Sequence, residues 1–178
     1  MLTGLLDADE GVRSRALGGL HHVVHHQNTL YTATPPAALY VAGILGEARA
    51  LWSLEKNPHS FPGPMRAELL GWLGSVANEA DDEAATTSRR FGFPPEDYPP
   101  FVEVCRIRPQ LFRATSVFMD DPDIHVREAA VSACIPAAGR PSPPPPPSRL
   151  GPSLAGRFGR KCTLVVPRAV HRGPDGLG

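Results

Sequence analysis

Long apolar runs are missing from this 178-residue chain, and none approaches the roughly 18–20 residues that a membrane-crossing helix needs. The opening segment, MLTGLLDADEGV, lacks the basic start and extended apolar centre of a secretory signal, so a cytoplasmic protein is expected. Cysteine is scarce. Cys105, Cys134 and Cys162 are widely spaced and form no C-x-x-C pair, which excludes a disulfide framework and a zinc knuckle. Cys105 and Cys134 stand among apolar residues and read as small, reduced core side chains. Also missing are G-x-G-x-x-G, the phosphate-cradling G-x-x-x-x-G-K and a nucleophile elbow. No catalytic residue and no cofactor is assigned.

What is present divides sharply by charge. The formal net charge is zero, yet residues 1–135 hold 11 Lys+Arg against 17 Asp+Glu, and residues 136–178 hold 7 against 1. An acidic body of −6 disfavours nucleic acid, whose phosphates need a basic face. Only the tail, through Arg157, Arg160, Lys161, Arg168 and Arg172, offers such charge. That tail also holds 10 Pro and 7 Gly in 43 residues, including an unbroken Pro143–Pro147. It has too little apolar surface to offset its ordering entropy and is expected to be polyproline-like, then disordered. Leu164-Val165-Val166 is its one stretch able to extend. The domains are therefore 1–135, folded, and 136–178, disordered.

The body carries a near-duplicate. Asp7-Ala8-Asp9-Glu10-Gly11-Val12-Arg13 and Asp121-Pro122-Asp123-Ile124-His125-Val126-Arg127 both read D-x-D-x-x-V-R, and Met65-Arg66 begins a weaker echo. Asp9 is the expected N-cap of a helix over 10–26 whose stripe is Val12, Ala16, Leu17, Leu20, Val23 and Val24. Thr34 is expected to cap a second helix, with Pro35 and Pro36 in its first turn. Its inner face is expected to be Leu39, Ala42, Leu45, Ala48 and Leu51 or Trp52. After a linker over 56–64 comes a third helix with Trp72, Leu73, Val76 and Ala77 inward. Residues 81–100 read as a long loop, with Phe91 and Phe93 tucked onto the body. Phe101–Arg108 reads as a short helix, Pro109 as the opening of the next, and Asp123 as the cap of the last.

These signatures resemble the HEAT-repeat proteins, specifically the bacterial HEAT-like class whose repeats begin D-P-D-x-x-V-R-x-x-A. His26-Gln27-Asn28-Thr29-Leu30-Tyr31-Thr32-Ala33-Thr34 is similar to the H-Q-x-T-x-Y-x-A-T connection in a group of uncharacterised bacterial members. The resemblance covers about residues 1–135. It implies an all-α, short α-solenoid of antiparallel helical hairpins, in which the Val is core, the Asp caps, and Arg13 and Arg127 brace adjacent repeats. The signature spacings of 53 and 61 residues exceed the roughly 40–47 of regular two-helix repeats, and loop insertions account for the excess.

Solenoids generally present binding surfaces, so a protein–protein interaction or scaffold role is expected, with a protein partner. The partner-contact candidates are Tyr31, Trp52, Trp72 and Phe91. His21, His22, His25 and His26 contain two i,i+4 pairs and are the metal-ligand candidates. The preferred reading is a surface cluster at a helix end, because no H-E-x-x-H is present. Some HEAT-like enzymes bind two irons through His-Glu dipeptides, and this chain has none. Tyr31, Thr32 and Thr34 read as a packed connection, and Glu79–Glu83 as a solvated loop. The alternative functions are a HEAT-like lyase or metal-dependent enzyme, and a truncated fragment without independent activity. In that last reading a shifted reading frame replaces the helix that should follow Ile135. Self-association through the uncovered last repeat is then expected.

Overall fold

A computed structural model describes residues 2–53 and 63–138. The tail from residue 139, with Cys162, Leu164–Val166 and the basic residues named above, lies outside the described residues, as does most of the 56–64 linker. The body is mainly helical: α1 (Glu10–Gly19), α2 (Thr34–Ile44), α3 (Met65–Asn78), α4 (Asp82–Arg90), α5 (Pro99–Ser116) and α6 (Ile124–Ala138). A small antiparallel hairpin, β1 (His25–His26) and β2 (Thr29–Leu30), separates α1 from α2. Among the described residues no helix is long and apolar enough to cross a membrane.

The two D-x-D-x-x-V-R copies fold into the same corner. The Asp7 carboxylate accepts from Asp9 N at 2.9 Å, and the Asp121 carboxylate from Asp123 N at 3.0 Å. Asp9 then caps α1 by accepting from Val12 N at 2.9 Å, and Asp123 caps α6 by accepting from Val126 N at 3.2 Å. Arg13 Nη1 donates to the Asp7 and Ala8 carbonyls, and Arg127 Nη1 to those of Asp121 and Pro122. Val126 is buried, whereas Val12 is only half-buried.

Arg13 and Arg66 also reach segments distant in sequence. Arg13 lies over the Trp52 ring at 5.0 Å and donates to Ser53 O. Arg66 lies over Phe118 at 4.8 Å, donates to the Leu45 and Glu47 carbonyls, and pairs with the Asp121 carboxylate at 3.3 Å. These segments are thus held by guanidinium groups that donate to backbone oxygens and to one carboxylate.

The core runs through α1, β2, α2, α3, α5 and α6 and takes no residue from α4. α3 packs most extensively on α6, α2 packs on α5, and α5 also meets α3 and α6. Leu69, Leu70, Trp72, Leu73 and Val76 of α3 are fully enclosed. Gly74 permits a close approach, since a Cβ there would meet Ala133 Cα of α6 at 2.9 Å. Arg108, itself buried, donates to Ala80 O after α3 and to Pro136 O near the end of α6. Cys134 is buried and Cys105 packs against the core, both free thiols. Burial raises the Cys105 pKa, which suits an inert side chain.

Several expectations are corrected. The first helix stops at Gly19, passes through a π-helical turn (Leu20–Val24) and gives way to the hairpin, which leaves Val23 exposed. Thr34 opens α2 but does not cap it: its hydroxyl accepts from Tyr31 N at 2.8 Å and donates to Val24 O, tying the helix start to the end of the π-helical turn. The inner face of α2 is Ala37, Ala38, Val41 and Leu45, while Leu39 and Ala48 are exposed. The supposed loop over 81–100 contains α4. Pro109 lies inside the single helix α5, exposed, because Val104, Ile107, Arg108, Leu111 and Thr115 hold the opposite face in the core. The last helix continues past Pro136 to Ala138.

Candidate functional site

An open groove of about 1000 Å³ lies beside α4. One wall is the hairpin turn, where Gln27 and Asn28 both take positive φ (49° and 58°), as a two-residue turn of the primed type requires. Tyr98, at the start of α5, donates its hydroxyl to Leu30 O and so clamps the hairpin to the groove's far side. Asn78 and Glu79 contribute the end of α3.

α4 exists for local reasons. Asp81 caps it by accepting from Ala84 N at 2.7 Å, Asp82 and Glu83 sit in its first turn, and Arg89 and Arg90 in its last. Gly92, with φ of 82°, then ends it: Phe93 N donates to Ser88 O and Gly92 N to Arg89 O, the bond pattern of a glycine-terminated helix. Phe91 and Phe93 flank that glycine and stand out at 69% and 72% exposure, both lining the groove with Tyr98 and Phe101. They do not tuck onto the body as expected.

The groove is acidic as well as aromatic. Glu79, Asp81 and Glu83 line it, and none of its described lining residues is a lysine, arginine or histidine. Partial burial raises the Glu79 carboxyl pKa above its ordinary value. An Asn78 hydrogen bond opposes that rise, and the Asp81 charge adds to it.

Of the four aromatic candidates, only Phe91 belongs to this groove. Trp72 is a core residue, 1% exposed, and is withdrawn as a surface contact. Trp52 is partly exposed but engaged by Arg13, and Tyr31 is exposed beside the hairpin without lining the groove. The histidines separate. His22 and His26 face each other with ring centroids 6.1 Å apart, and both are exposed, as is His21. His25 instead turns inward and is buried edge-on to Trp72 at 6.3 Å. Burial, then the nearby His21, lowers its pKa. The helical i,i+4 spacing of His21 and His25 is lost at the π-turn and hairpin. Among the described residues no group of three or more His, Cys, Asp or Glu side chains is placed to hold a metal ion.

Phe93, Tyr98 and Glu79 were not among the residues singled out for contact. The signal was present: an Asp-capped acidic turn followed by Arg89-Arg90-Phe91-Gly92-Phe93 marks a short helix with aromatics at its glycine stop. Compared with protein-family models, curated proteins and solved structures, the chain has no match.

Proposed function

We propose that the protein is a cytoplasmic protein-binding module of the HEAT-like helical-repeat type, which docks a partner protein in the groove beside α4. Support for the repeat architecture comes from the two corners of one geometry and from the arginines of successive signatures, Arg13 and Arg66, each stacked on an aromatic ring. The packing of α3 on α6 and of α2 on α5 also suits hairpins stacked in order.

The observation that carries the docking role is the pair of exposed phenylalanines on a glycine stop, set in an open groove. Aromatic side chains in a concave, partly apolar setting are the usual anchors of protein interfaces. The test is site-specific photocrosslinking in cells. A benzophenone side chain at position 93 should yield discrete protein adducts, while one at the exposed position 117, outside the groove, should not. Absence of adducts at position 93, with a small molecule retained stoichiometrically by the purified chain, would overturn the reading.

A further inference from the structure

We infer that the groove beside α4 takes an arginine-rich peptide segment, its guanidinium groups set against the exposed aromatic rings at one end and answered by the carboxylates at the groove's acidic end. This rests on the protein-docking reading and names the chemistry of the partner.

Three observations converge. First, the charge is one-sided: Glu79, Asp81 and Glu83 line the groove with no basic side chain among its described lining residues. Of the cations nearby, Arg90 is exposed and outside the groove's lining, and two others are committed elsewhere. Arg89 pairs with Glu96 at 3.2 Å, and Arg108 is buried on the Ala80 and Pro136 carbonyls. Second, the apolar part is aromatic. Phe91 and Phe93 present ring surface suited to a long aliphatic stem with a flat cationic head. Third, this chain already uses that recognition twice. Arg13 over Trp52 and Arg66 over Phe118 each stack a guanidinium on a ring and complete it with carbonyl or carboxylate oxygens. The groove supplies the ring and the carboxylates and lacks the guanidinium. A partly buried Glu79 held above its ordinary pKa is the state that an incoming cation relieves. Arginine fits better than lysine because its planar group stacks and donates at once.

The experiment titrates the full-length, nitrogen-15-labelled chain with four short capped peptides. Alanine alternates in them with arginine, citrulline, glutamate or leucine. The arginine peptide should bind saturably, shifting the amides of Leu30, Ser88 and Phe93, and should weaken as salt is raised. Citrulline, the uncharged counterpart, should bind about ten-fold more weakly. Glu79→Gln with Glu83→Gln, and separately Phe93→Ala, should each weaken the arginine peptide about three- to ten-fold. These changes leave the Asp81 cap intact, and an unchanged amide spectrum elsewhere verifies the fold. Equal binding of the leucine or citrulline peptide would overturn the inference while leaving protein docking in the groove intact. Binding of the glutamate peptide, or no groove shift with any peptide, would also overturn it. The crosslink at position 93 judges the docking reading independently.

Discussion

The corners Asp7–Arg13 and Asp121–Arg127 follow one plan in different surroundings. In each, one aspartate folds the turn, the next caps the helix, and an arginine closes on two carbonyls. Five residues past the Val or Met, the helices diverge. Leu17 of α1 and Leu70 of α3 are 7% and 0% exposed, whereas Val131 of α6 is 47% exposed. Ile124 and Ile135 are also exposed on α6. The corner is therefore encoded within seven residues and forms with or without a cover. Burial is not local: it is borrowed from whichever element packs next.

The largest test of that contrast is a pair of truncations. Leu70→Ala should cost about 2–5 kcal/mol in urea unfolding, since a full side chain leaves an enclosed site. Val131→Ala should cost about 0.5 kcal/mol or less, as exposed positions do. Equal costs would break the comparison and mean that the outer face of α6 is covered in solution.

The next pair separates long-range bracing from local closure. Arg66→Met strips donors from Leu45 O, Glu47 O and the part-buried Asp121 carboxylate, and should cost about 3 kcal/mol. Arg127→Met loses only its own corner's carbonyls and should cost about 1 kcal/mol. Similar values would show that local bonds dominate both sites.

The smallest effect concerns His25, whose environment is borrowed from Trp72. Its folded pKa is lowered, so the unfolded chain takes up the proton first. The associated stability is complete above the ordinary histidine range and falls as pH drops below about 6.5. A melting temperature lower by a few degrees at pH 5.5 than at pH 7.5 is expected, and His25→Leu should flatten that difference. The exposed His26→Ala should leave it unchanged. A slope undiminished in His25→Leu would assign the acid sensitivity to other groups, among them His21, whose pKa burial and then His22 also lower.

The same division governs what was readable beforehand. The Asp9 and Asp123 caps, the helix opening at Thr34-Pro35-Pro36 and the inner face of α3 depend on residues a few positions apart, and pattern reading reached them. Where α1 ends did not follow from pattern, because Val23 and Val24 continue a helical period that only the Gln27-Asn28 turn interrupts. Pro109 looked like a helix start because the strength of one buried face cannot be judged from one segment. The groove was least legible. Of its lining only Phe91 is expected as a partner contact, since the other walls come from the hairpin, α3 and α5, and their meeting is tertiary. The glycine that puts Phe91 and Phe93 in solvent was legible, but its meaning required knowing that α4 exists.

Gly74 sets a limit on how the two longest-packed helices can vary. With no side chain between its backbone and Ala133, the distance from α3 to α6 is a main-chain contact and not a matter of side-chain fit. Any larger residue there must push one helix off the other, and the Arg66 and Arg108 bridges would have to stretch with it. Variation on the outer surfaces can therefore accumulate while this seam acts as a spacer of constant width, keeping the groove's α3 wall in register with the rest of the molecule.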